Sequence, residues 1–157
     1  MKPSARLALA AAVVLGTATA AQAQLSKEDM IKYRQSGYTF MAWNMGKIKA
    51  ELEGSNFDAA RVAASANVVA AVANSGLGAL FAPGTDTGKG WKETRLKPEF
   101  FREPDKVRQI GSNFVQQANR MQQVAAGGDK AAIAAQFQEL GKACKACHDK
   151  FREEEDK

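Results

Sequence analysis

The chain is poor in the residues that usually carry chemistry. Its 157 residues include two cysteines, one histidine and two tyrosines. Structural zinc needs four ligands, and the only Cys/His group supplies three, with no second group elsewhere. No set of nucleophile, base and acid stands out, so the sequence is read as a non-enzyme. There is no strand-like alternation, no low-complexity tract and no convincing repeat. No stretch is long and apolar enough to span a bilayer. The formal charge of +5 is dispersed among acids rather than gathered in a stripe, which gives nucleic-acid binding little support.

What is present begins with an address. "MKPSARLALAAAVVLGTATAAQAQ" runs from Lys2 and Arg6 through the apolar Leu7 to Leu15 to small residues ending in Ala21-Gln22-Ala23. That order is a secretory signal with cleavage after Ala23. The reading is therefore residues 1–23 as signal peptide and 24–157 as one exported domain. Arg6 stands alone, so the twin-arginine signal is absent, and no cysteine follows the cleavage site to take a lipid. The periplasm is the expected location, with no membrane anchor. Without Lys2 and Arg6 the formal charge falls to about +3.

The domain reads as helices. Ser26 with Asp29 three residues on is a cap signal, and Ile31, Arg34, Tyr38, Met41, Met45, Ile48 and Leu52 form one stripe, closed by Gly54. Arg34 is out of place there, because a buried guanidinium wants an anion. A second helix, about Asp58 to Ser75, is lined with alanine, which implies close neighbours or something large beside it. Residues 76–102 are rich in glycine and proline yet carry Leu80, Phe81, Trp91, Phe100 and Phe101, so this long connection is expected to pack on the body. A third helix starts near Pro104 and stops at Gly127-Gly128, and Asp129 caps a fourth. The fold class is all-α, an antiparallel up-down-up-down four-helix bundle. The terminal "EEED" is read as a solvated, fraying helix end.

Both cysteines and the histidine fall within "ACKACHDKFR" near the end of the fourth helix. A bridge between Cys144 and Cys147 would close a very small loop and add little stability. A thioredoxin-like dithiol belongs at a helix start in a βαβ setting, not at a helix end in an all-helical chain. Cys-x-x-Cys-His is the haem c attachment pattern: Cys144 and Cys147 as thioether tethers, His148 as proximal iron ligand, one covalent haem per chain. A haem propionate is then an anion for Arg34, and the alanine-lined helix leaves room for a macrocycle.

With "KYRQSGYTFM" in the first helix and "ETRLKPEFF" before the third, the whole mature chain resembles cytochrome c′, the high-spin branch of the class II cytochromes c. Cytochrome c′ is among the known up-down-up-down bundles. The resemblance places the residue four after Arg34, here Tyr38, on the distal side of the iron, where low-spin relatives have methionine. A tyrosine hydroxyl with its ordinary pKa near 10 is a poor ligand, so Tyr38 is read as a bulky cover over five-coordinate iron. Arg152 matches an arginine that the family carries on the proximal side. The family often has tryptophan after its "KPE" segment, where this chain has Phe100 and Phe101. Which aromatic covers the haem edge stays open, with Trp91 a further candidate.

The resemblance implies binding of small diatomic gases (NO and CO), nitric oxide scavenging or protection, and a capacity for one-electron transfer. The alternative is a low-spin electron carrier using Met41 as sixth ligand; plain core packing is the simpler account of Met41 and Met45. Homodimers through the first helix are common in the family, and Phe40 and Trp43 stand on its outer flank. The redox partner is not indicated.

Overall fold

The computed structural model describes residues 25–154, so the predicted signal and its cleavage site at Ala23 lie outside the described residues. Four long helices make the body: α1 (Lys27–Glu53), α2 (Ala59–Ala73), α4 (Pro104–Gly127) and α5 (Lys130–Phe151). A one-turn helix, α3 (Glu99–Arg102), and a 3-10 turn at Leu77–Leu80 interrupt the connection between α2 and α4. The bundle is the predicted four-helix architecture, and among the described residues there is no strand. Nor is any described helix long and apolar enough to cross a membrane.

The helix ends follow from their capping chemistry. The Asp29 amide donates to Ser26 Oγ at 3.0 Å while that hydroxyl donates to the Asp29 carboxylate at 2.8 Å, closing a reciprocal cap. Asp58 accepts from the amides of Ala60 and Arg61, so the second helix starts one residue later than its sequence pattern suggests. Asp129 does the same for α5 through the Ala132 amide at 2.7 Å. Gly128, at φ +75°, makes the left-handed turn that lets α4 stop and α5 begin.

Packing runs from α1 to α2, α2 to α4 and α4 to α5, and α1 and α5 meet far more sparsely. The core comprises Met41, Ile48, Val62, Ala66, Val69, Ala118, Met121, Ala125, Ile133 and Leu140. The alanines of α2 have the first of the two expected explanations: Ala66 and Ala70 are buried because neighbouring helices approach closely. They are buried positions of the core.

The tail also departs from expectation. Helix α5 ends at Phe151; Arg152 turns extended and bridges to Leu96. The Lys97 amide donates to Phe151 O at 2.9 Å, and the Glu153 amide to Arg95 O at 2.8 Å. The start of "EEED" is therefore paired with the long connection rather than fraying.

Candidate functional site

Cys144, Cys147 and His148 occupy the last two turns of α5, where 3.6 residues per turn brings all three near one side of the helix. Both thiols are free and partly buried, and Cys144 packs against the core. Burial pushes both thiols above their ordinary range; the neighbouring Cys147 adds to the effect at Cys144, and Arg152 opposes it at Cys147. They are protonated near neutrality, which is the opposite of an activated redox dithiol. Burial first, then Arg152, holds the His148 imidazole below its ordinary value, with Asp149 opposing. A neutral imidazole keeps a lone pair free for a metal. Among the described residues, no three Cys, His, Asp or Glu side chains converge on a common metal position, so the thiols and imidazole do not form a small-ion cage.

Tyr38, from α1, faces this pair. Its hydroxyl is pushed up to about 12, by burial first and then by the charges that Cys147 and Cys144 would carry; Arg34 opposes. Such coupling places the phenol within electrostatic reach of both cysteines. The residue as a whole is nonetheless 40% exposed. As thioethers the cysteines carry no charge, and burial alone still raises the phenol. Tyr38 is a neutral phenol at any ordinary pH.

Around it runs a chain of rings. Tyr38 meets Phe81 edge-on with centroids 6.3 Å apart. Phe81 stacks on Phe100 at 4.8 Å, and Phe100 meets Phe151 at 5.4 Å, which returns to α5. This aromatic chain joins α1 to α5. Phe100 is thus the member of its pair that enters the wall, with Phe101 edge-on behind it. Trp91 is not in the wall: it lies on the outer face of α1, with Nε1 donating to Ser36 Oγ at 2.7 Å.

Arg34 is buried as expected, 4% exposed, but its partners are neutral. Its Nη1 donates to Thr85 Oγ1 at 2.6 Å and Leu80 O at 3.2 Å. Its Nη2 donates to Thr85 O and to Thr94 Oγ1 at 2.7 Å. Its terminal nitrogens make four hydrogen bonds to the connection, and Asp86 lies within electrostatic reach of the guanidinium. Thr85 and Thr94 had no signal in the sequence, lying 51 and 60 residues from the group they satisfy.

Arg152 stands at the end of α5, where its amide donates to His148 O. With Arg95, Lys97 and His148 it lines a cleft of about 360 Å³. Met41 is buried in the core, and Met45 packs against it.

The donor set fits covalent haem: two unbridged thiols one turn apart, a neutral histidine beside them, and an aromatic wall across a loosely packed seam. Residues 29–152 match the family model described as Cytochrome C′. The chain belongs to the cytochrome c′ family. A cytochrome c′ of Allochromatium vinosum is 52% identical over 141 residues, covering 89% of this chain and 91% of that one. A cytochrome c′ structure described as showing an unusual ligand-controlled dimer dissociation superposes with a TM-score of 0.80 at 53% identity, covering 84% of this chain and all of that one. More distantly, single-residue variants of the Alcaligenes xylosoxidans cytochrome c′ have been solved with nitric oxide, at TM-score 0.75 and 30% identity, and with carbon monoxide, at 0.73 and 31%. They cover 84% and 82% of this chain, and 99% and 98% of their own.

Proposed function

We propose that this is an exported, monohaem, high-spin cytochrome c′ that binds nitric oxide and carbon monoxide, scavenges nitric oxide, and has one-electron transfer as a second capacity. Cys144 and Cys147 would tether one haem c, and His148 would be its proximal ligand. When bound, such a haem supplies an iron whose remaining axial position takes a diatomic gas reversibly. The chain's own part is to hold, cover and exclude. Reversible gas binding needs no acid, base or nucleophile from the protein, in keeping with a non-enzyme.

The observation that carries this reading is the position and state of Tyr38. It faces the cysteine pair from the opposite helix, and burial keeps it a neutral phenol, a poor ligand but a good steric cover. Met41 serves the rival low-spin reading badly, since it would have to leave the bundle core to ligate. Arg152 lies beside His148 in a cleft also lined by Arg95, Lys97, Asp149, Glu153 and Glu154, the side that the family resemblance would make proximal.

Self-association is part of the proposal. Phe40 and Trp43 stack at 5.6 Å on the outer face of α1, and with Trp91 they line a shallow groove of about 710 Å³. Exposed aromatic surface of this kind suits a second copy of the chain. The dimer named for the relative above gives this occupant its precedent. The secretory signal supports a periplasmic site of action.

The deciding experiment is spectroscopy of the matured holoprotein. High-spin iron by electron paramagnetic resonance, with a carbon monoxide difference spectrum on reduction, is the expected result. A near-infrared methionine–iron charge-transfer band would replace this reading with the Met41-ligated one.

A further inference from the structure

Residues 88–94 of the connection fold into a small lobe on the outer side of α1. Within it the Gly90 amide donates to Lys92 O at 3.1 Å and the Thr94 amide to Gly88 O at 2.9 Å, while Lys89 and Glu93 form an antiparallel bridge. Three residues of α1 hold the lobe. Gln35 donates through Nε2 to Lys92 O at 2.9 Å, and its Oε1 accepts from the amides of Trp91 at 2.8 Å and Lys92 at 3.2 Å. The Trp91 indole donates to Ser36 Oγ, and Lys32 Nζ lies 4.5 Å above its ring. At Gly90 the lobe lies flush on the helix: a Cβ there would sit 2.6 Å from the Lys32 amide nitrogen.

So many contacts fix Trp91, yet the residue stays 62% exposed. An exposed ring that is already ordered suits a partner surface, because the cost of ordering it is met before contact. The groove beside it has two sources: Ser36, Thr39, Phe40 and Trp43 line it from α1, and Trp91 and Lys92 from the lobe. A stacked ridge and a groove in one patch is what two-fold pairing needs, since the same surface must be complementary to itself. At about 200 Å² for a large ring, the exposed parts of Phe40, Trp43 and Trp91 amount to roughly 350 Å². That approaches half of the about 800 Å² that each partner gives to a standard interface, and Trp91 supplies the largest single share. Without the lobe the groove loses one wall, and the rings of α1 alone fall further short.

We propose that docking of this lobe on α1 and self-association of the chain are coupled: Trp91 is an interface residue, and Gln35 and Ser36 are the positioning residues that complete the face. The inference rests on the self-association reading above and adds to it what regulates that face. A second copy recognises only the docked lobe. Association therefore draws the lobe into place, and whatever loosens the lobe weakens association through the same coupling. Both copies must be docked, so the dimer dissociation constant scales with the inverse square of the docked fraction. A lobe docked about one-tenth of the time would raise that constant about a hundredfold.

The test measures two quantities on the holoprotein of wild type, Trp91→Ala, Gln35→Ala and Ser36→Ala. Sedimentation equilibrium gives the dimer dissociation constant. Amide hydrogen exchange across 90–94, taken on dilute monomer, gives the docked fraction. Trp91→Ala is expected to raise the constant about a hundredfold, as loss of an aromatic anchor from an interface does. Gln35→Ala, and to a smaller extent Ser36→Ala, should lower the docked fraction and raise the constant by its inverse square. In wild type, protection of the lobe should increase with protein concentration as the dimer forms. An unchanged constant in Trp91→Ala would take the lobe out of the interface. A loosened lobe with an unchanged constant in Gln35→Ala would break the coupling. A wild type that stays monomeric at every concentration would remove the self-association reading itself, and this inference with it.

Discussion

Tyr38 and Phe81 meet edge to face with ring centroids 6.3 Å apart, one carried by α1 and the other by the turn that follows α2. Of the two, Tyr38 is the ring in electrostatic contact with Cys144 and Cys147. Truncating it opens the distal side directly. In the holoprotein, Tyr38→Ala should raise carbon monoxide affinity about tenfold, equivalent to roughly 1.4 kcal/mol of binding free energy. Equilibrium titration measures it, and an unchanged affinity would remove Tyr38 as the cover.

Trp43 is 58% exposed, with Lys47 Nζ 4.7 Å above its ring and Phe40 stacked beside it. Nothing within the chain needs so much aromatic surface outside. Trp43→Glu should leave helix content and haem attachment intact while shifting the sedimentation coefficient from dimer to monomer. A monomeric wild type at high concentration would show that the groove serves another purpose.

Two glycines with opposite surroundings give a paired test. Gly90→Ala drives a methyl into the α1 backbone at Lys32, a contact that cannot yield as a flexible side chain would. Stability should fall by about 1–3 kcal/mol as overpacking predicts, and Trp91 emission should shift red as its segment lifts. Gly111 lies inside α4 with nothing within 4 Å of a Cβ. There Gly111→Ala should stabilise by about 0.5–1 kcal/mol, the helix-propensity difference. Denaturant unfolding of the two variants measures both signs.

Glu51 ties the end of α1 to the start of α2: its carboxylate accepts from Arg61 Nε at 2.6 Å and from the Asp58 amide at 3.0 Å. Those bonds, Arg61 first, hold the carboxyl below its ordinary 4.5. A depressed carboxyl contributes stability that is complete above its unfolded value. The contribution is lost as pH falls through the lower, folded value. Glu51→Gln should therefore narrow the difference in melting temperature between pH 7 and pH 3, and an unchanged acid slope would show the pair adds nothing.

The helices were legible because their signals are local. Ser26, Asp58, Pro104 and Asp129 mark starts within a few residues of where the helices begin, and the stripe from Ile31 to Leu52 buries much as its spacing predicts. The attachment motif was equally plain, since its three groups share one helix. The connection was not legible in the same way. Its apolar load foretold that it packs, but not that Phe100 would enter the wall while Trp91 took the outer face. Arg34 was the instructive case: burial of a charge on the stripe was readable, while its partners were not. Neutral oxygens from residues 80–94, brought together only by the fold, take its hydrogen bonds, with Asp86 of the same segment within electrostatic reach.

The segment clamped at Thr85 reaches the end of α5 through Leu96, Lys97 and Arg95. One covalent strap thus borders Tyr38 at its beginning and His148 at its end. The surroundings of Tyr38 and of His148 share a single piece of backbone, so strain introduced at one has a short route to the other. Substitutions in residues 81–97 belong to both sides at once, whichever side they were chosen to probe.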